Sequence, residues 1–320
     1  MLSRIAQELF WLGRNVARAE HTARMLDGVF QASLQGRPDD PAGVRLGWGS
    51  IMAIMGADAG GRPVRRSEVL NRMTLDRSEP ASVIACVSRA REGARTMRDV
   101  VSAEMWEAVN TTHLARSAGD LEGRLQMGPY SVFQYVKERS ALFWGLTSRT
   151  MLRDEARAFL VAGGRIESAD MVLRMLRVAM PAAGTEGVGI DGVRDGQALA
   201  LLQAVGGFQA FRRAVPAPAN AGPVTRFLLY ERAYPDSVAA SVDAVHHALQ
   251  DVDVSPRSSE PVLRLSRLAA DLEFRGRAAA EDGNLAEACE LVQQELALVD
   301  TDIAERYFAG AAAAAGTVVA

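Results

Sequence analysis

The chain writes one helix twice. Gly13, Val16, Ala19, Glu20, Arg24 and Met25-Leu26 are matched 150 positions later by Gly163, Ile166, Ala169, Asp170, Arg174 and Met175-Leu176. This self-similarity constrains the architecture more than composition does, because both copies must bury the same apolar face in one assembly. On a 3.6-residue wheel Leu12, Val16, Ala19, Ala23, Leu26 and Phe30 form that face, and Gly13, Glu20 and Arg24 run as a stripe along its edge. Gly163, Asp170 and Arg174 draw the second stripe. In each stripe the acid and the arginine are four apart and can bond along the helix. A helical glycine costs about 1 kcal/mol relative to alanine, so something approaches the backbone closely there, either another helix or a ligand. Arg14, Arg18 and His21 lie on another side, where solvent exposure is the default for charged residues. The second copy supports that placement with Gly164 and Ser168 in place of Arg14 and Arg18.

Helical periodicity extends over residues 3 to 33, 44 to 57, 80 to 117, 131 to 180, 195 to 215, 222 to 252, 260 to 280 and 284 to 308, and strand-like alternation is nearly absent. The expected fold is all-α, a bundle of packed antiparallel helices in a single domain over 1–320. Its pseudo-repeats begin near 3 and 153, and the small-residue tail 309–320 is expected to fray. The segment GVGIDG, Gly187 to Gly192, has the spacing of a dinucleotide fingerprint but follows a helix and Pro181 instead of a strand, so it reads as an interhelical loop.

The 320 residues are 48% hydrophobic with a formal net charge of −3, which disfavours a non-specific nucleic-acid coat. Lys137 is the only lysine among 36 basic residues and has no glycine-rich loop before it, so any cation at a site is expected to be guanidinium, suited to carboxylate or phosphate. Cys86 and Cys289 sit far apart in helical patterns and suggest neither a disulfide framework nor a metal site. His246 and His247, adjacent on a helix, point too far apart to chelate one ion well. Neither a targeting segment nor a membrane span is apparent, and a cytoplasmic protein is expected. In SRAREGARTMRDVVSAEMWEAVN, Arg91, Arg95 and Arg98 share a helical face, Glu92 lies beside Arg95, Ser102 suits an N-cap, and Asn110 shares the face of Trp106, where the arginines can meet it.

Four segments in order, LFWLGRNVARAEHTARML, SVIACVSRAREGARTMRDVVSAEMWEAVN, TMLRDEARAFLVAGGRIESADMVLRML and FLLYERAYPDSV, resemble the motifs of the bacterial alpha-E domain family, a family of unknown function, across nearly the whole chain. The resemblance covers Glu20, Arg24, Arg91, Glu92, Arg95, Glu104, Trp106, Asn110, Arg153, Asp154, Glu167, Asp170, Arg174, Phe227, Leu228, Arg232, Pro235 and Ser237. The chain departs from the family pattern at His21 and Gly93, where asparagine is usual, and at Gly164, Ser168 and Asp236, where arginine is usual. The resemblance implies an all-helical fold and a setting beside an ATP-grasp-like ligase, with a transglutaminase-like protein often near.

On that basis the first expectation is an accessory, substrate-positioning subunit in peptide or amide-bond formation. The ligase partner would supply ATP and Mg²⁺ chemistry, and no cofactor or metal is expected in this chain. Arg24, Arg91, Glu92, Arg95, Asn110, Arg153, Asp154, Arg174 and Arg232 are the candidates for holding an anionic small molecule or peptide. A second possibility is an independent enzyme using Glu20 and Asp170 as a carboxylate pair. A third is a structural protein whose Arg-acid pairs fix helix register.

Overall fold

A computed structural model describes residues 2–35, 47–57, 64–117, 119–179, 190–277 and 285–309. Among these are fourteen α-helices and no strand. The first half holds α1 (Ser3–Gln35), α2 (Trp48–Met55), α3 (Arg66–Leu75), α4 (Val83–Thr96), α5 (Ala103–Ser117), α6 (Asp120–Met127) and α7 (Pro129–Thr150). The second holds α8 (Glu155–Ala179), α9 (Ile190–Ala204), α10 (Phe208–Ala214), α11 (Ala221–Tyr230), α12 (Val238–Val252), α13 (Glu260–Arg277) and α14 (Leu285–Ile303).

The duplication extends well beyond the two helices that announce it. In the first half α1 packs on α4 and α7, α4 on α5, and α5 on α7; in the second α8 packs on α12 and α14, α12 on α13, and α13 on α14. Ser82 and Ser237 cap equivalent helices, each hydroxyl accepting a backbone N–H three residues on at 3.1 Å, from Ala85 and Ala240. The halves also exchange elements, since α2 packs on α8 and α9 on α1. One apolar cluster runs through both, and a smaller one around Val83, Leu121 and Val132 lies in the first half.

At the centre α1 and α8 cross with their backbones touching. A Cβ on Gly13 would lie 2.0 Å from the carbonyl oxygen of Leu160, and one on Gly163 would lie 2.0 Å from that of Phe10. The pairs are reciprocal under the 150-residue offset, so an approximate two-fold axis passes between the helices. What approaches each glycine is therefore the other copy's backbone. Contacts advance in step from Phe10 with Gly163 to Arg14 with Glu167 and His21 with Ser168, so these two helices run in the same direction.

Several predicted helices are divided. The stretch 80 to 117 breaks between Thr96 and Ala103, 131 to 180 breaks between Thr150 and Glu155, and 222 to 252 breaks between Tyr230 and Val238. Helix α3 arises where no helix is predicted. Residues 187 to 189 of GVGIDG, and the tail from 310 on, lie outside the described residues, whereas Ile190 already opens α9.

The end of α14 is tied down by Asp253, whose side chain is 1% exposed. It accepts Arg306 at 2.6 and 2.8 Å, Ser259 Oγ at 2.7 Å, the Ser255 amide at 2.7 Å and the Tyr307 hydroxyl. The Arg306 bonds, with those of Tyr307, Ser255 and Ser259, outweigh burial and hold this carboxyl far below the ordinary range. Because the folded value is depressed, the stabilisation is present above about pH 4 and is lost as pH falls towards the folded value. Asp253→Ala is expected to cost about 2 kcal/mol, since Arg306 is partly exposed and returns to water. Loss of amide-exchange protection at residues 304–308 checks it.

Candidate functional site

Arg14 and His21 are inside the molecule and Arg18 is largely covered, which corrects the expectation of a solvated face. Arg14 is 8% and His21 3% exposed, and both face α8. Glu167, with no exposure, receives Arg14 Nε at 3.0 Å and Arg18 Nη2 at 2.9 Å on one oxygen and Arg18 Nε on the other. Arg14 Nη1 also reaches both oxygens of Asp300 on α14 at 2.8 Å. Burial alone would raise the Glu167 pKa, but the guanidiniums of Arg18 and Arg14 outweigh it and keep the carboxylate ionised. Both arginines are in turn held above their ordinary value, the Glu167 charge overcoming their desolvation.

The repeated stripes form the pairs their spacing allows. Arg24 Nη2 meets Glu20 Oε1, and Arg174 Nη2 meets Asp170 Oδ2, each at 2.8 Å. The environments of the two acids then diverge. Asp170 accepts Gln293 of α14 at 3.0 Å, whereas Glu20 lines a cavity between α1, α7, α8 and the turn before α12. Asp170 is not in that wall, and the two carboxylates share no hydrogen-bond donor.

The cavity has a volume of about 430 Å³. Its wall joins Glu20 and His21 to Trp144, Arg157, Val161, Gly164, Arg165, Ser168 and Asp236. It occupies the position that the Arg14 and Arg18 cluster fills in the other half. There α1 contributes Arg14 and Arg18; here α8 contributes Gly164 and Ser168, and Ala17 stands where the other half has Glu167. Trp144 lies so close to Gly164 that a Cβ there would meet the indole at 2.4 Å. His21 Nε2 and Ser168 Oγ are 3.0 Å apart, while the buried His21 Nδ1 has no partner. Arg165 Nη1 donates to Pro235 O at 2.8 Å and Asp236 Oδ1 at 3.1 Å. Arg157 contrasts with it: its Nε is buried and unpartnered, and no acid among the described residues pairs with its guanidinium. In the sequence the pointers to this space are the repeat's exchange of two arginines for Gly and Ser and the departures from the family pattern at His21 and Asp236; Arg157 gave no signal of its own.

The remaining candidates lie elsewhere. Arg91 Nε donates to Asn110 Oδ1 at 2.9 Å and its guanidinium sits over Trp106, while Glu92 links Arg91 and Arg95 on the exposed face of α4. Arg153 and Asp154 are exposed between α7 and α8, where Asp154 accepts the Arg157 amide at 3.2 Å. Arg232 binds Asp243 and Glu273, each at 3.1 Å. Among the described residues no three of His, Cys, Asp and Glu are grouped to hold a metal ion, and no helix is long and apolar enough to cross a membrane.

A family model described as a predicted alpha-helical domain with a conserved ER motif matches residues 1–308. Glu-Arg occurs at 138–139, 231–232 and 305–306. Each arginine makes a long-range tie, Arg139 to Thr112 and Ala108, Arg232 to α12 and α13, and Arg306 to Asp253. No curated protein and no solved structure matches the chain. With nearly its whole length covered by that model, the chain belongs to the Alpha-E family.

Proposed function

We propose that this protein holds the anionic part of a small molecule or peptide in the cavity between α1, α7 and α8, as the substrate-positioning subunit of a cytoplasmic ATP-grasp-type amide ligase. The observation that carries the binding reading is Arg157, a cavity-wall side chain whose buried Nε has no partner and whose guanidinium pairs with no acid among the described residues. A guanidinium held in a partly dry wall is a strong receptor for carboxylate or phosphate. The repeat adds support, because the same position in the other half is plugged by charged side chains and here it is open. Four of the five departures from the family pattern, His21, Gly164, Ser168 and Asp236, line this space together. The ligase setting, with ATP and Mg²⁺ in the partner and a transglutaminase-like protein near, rests on the family resemblance.

Affinity purification from the native host, with mass spectrometry of bound proteins and small molecules, tests both parts. An ATP-grasp-like protein is expected in the eluate, with a small anion that Arg157→Gln reduces 10-fold or more, the loss of about 1.5–3 kcal/mol for hydrogen bonds to a charged group. Absence of such a partner, with ligase activity unchanged when the protein is deleted, rejects the subunit reading. An anion retained equally by the variant rejects the cavity.

A further inference from the structure

Resting on the reading of this cavity as a ligand site, we infer that its ligand is a zwitterion with its charges at opposite ends of an extended chain, the chemistry of a short peptide with free termini. The wall has acceptors to spare as well as a cation. Arg24 gives two bonds to Glu20 Oε1, at 3.0 and 2.8 Å, and among the described residues none reaches Glu20 Oε2. Arg165 takes only Oδ1 of Asp236, leaving Oδ2. A simple anion satisfies Arg157 but leaves the second oxygens of these two wall carboxylates without a donor, whereas an ammonium group at their end uses them.

The layout separates the two ends. Arg157 stands in the first turn of α8, and Val161, Gly164 and Ser168 follow along one face of that helix, spanning about 16 Å at 1.5 Å per residue. Ser168 marks the far end, because it bonds His21, the neighbour of Glu20. There His21, 3% exposed with Nδ1 unpartnered, offers a further polar atom. Between the ends the wall is mixed, with Thr147 and Ser148 beside Ala141 and Val161, and with Trp144 packed on Gly164. An extended peptide advances about 3.3–3.6 Å per residue, so about four to five residues span the distance. A volume of 430 Å³ drawn out over it suits one chain better than a compact ring body.

The test is a randomised tetrapeptide pool in three forms, with free termini, N-acetylated and C-amidated, equilibrated with the full-length protein. Retained species are read by ultrafiltration and mass spectrometry. Free-termini peptides are expected to be enriched at least 10-fold over both blocked pools. Arg157→Gln should abolish discrimination against the amides, and Glu20→Gln combined with Asp236→Asn that against the acetylated peptides. Equal enrichment of the acetylated pool overturns the zwitterion and leaves the anion-holding function standing. No enrichment of any pool, while a native anion still co-purifies in an Arg157-dependent way, overturns the peptide and spares the function. Loss of both signals rejects the function as well. The wild-type comparison decides the matter even if a variant fails to fold.

Discussion

Glu167→Ala is expected to lower the unfolding free energy by about 3–5 kcal/mol, because it leaves Arg14 and Arg18 inside the molecule without their shared counter-ion. Asp300 retains Arg14 but does not reach Arg18. Replacing the whole cluster with apolar residues, Arg14→Met, Arg18→Leu and Glu167→Leu together, is expected to cost far less or to stabilise, since the desolvation of all three charges disappears with them. Urea midpoints of the single and triple variants decide this, and a triple variant as weak as the single one contradicts it. The pH response follows from the depressed Glu167 value. Its contribution is fully present above the unfolded carboxylate pKa near 4.3 and fades as pH falls through the folded value, so wild-type stability should drop in acid more steeply than that of the triple variant.

Gly163→Ala and Gly13→Ala are expected to cost about 3 kcal/mol or more each. The new Cβ would stand 2.0 Å from a backbone carbonyl oxygen, and no rotamer change can relieve a clash between two helix backbones. The helices must separate, loosening the packing along the centre. Gly145→Ala is the control, a glycine in α7 with no atom within 4 Å of its absent Cβ. There the same chemical change should stabilise by up to about 1 kcal/mol through helix propensity. Thermal melts of the three variants check the prediction. Gly163→Ala melting like Gly145→Ala would show that the crossing is looser than the described contact.

The contrast between these glycines shows what the sequence could and could not convey. The repeated stripe revealed both glycines, the Glu20–Arg24 and Asp170–Arg174 pairs and the close approach, because all are written within one helical turn or in the offset itself. Asn110 with Arg91 was legible for a similar reason, two adjacent helices with one polar residue on an aromatic face. Arg14, Arg18 and His21 were misplaced because their partners Glu167 and Ser168 are about 150 residues away, and a wheel drawn for one helix cannot distinguish a solvated arginine from one neutralised by a distant carboxylate. The missed α3 has a mixed, largely polar pattern, RSEVLNRMTL, with Val69, Leu70 and Met73 buried by tertiary packing. The break before α12 is written in Pro235 and the cap Ser237, but the helical spacing of the apolar residues on either side outweighs those signals when the stretch is read as one helix. The cavity was the least legible feature: it follows from Gly, Ser and Ala standing where the other half has Arg, Arg and Glu, and small residues give no sign in one dimension of the volume they leave open.

The exchange of α2 and α9 between the halves has a consequence for cutting the molecule in two. Each half lends a helix to the other's central helix, so neither carries its own complete interior. A half expressed alone would leave uncovered the part of its central helix on which the other half's α2 or α9 packs, and it is expected to need the complementary half to fold. The two sides of the crossing are then free to differ within one chain: one holds a neutralised plug of arginine and glutamate, and the other leaves an opening where Gly, Ser and Ala stand.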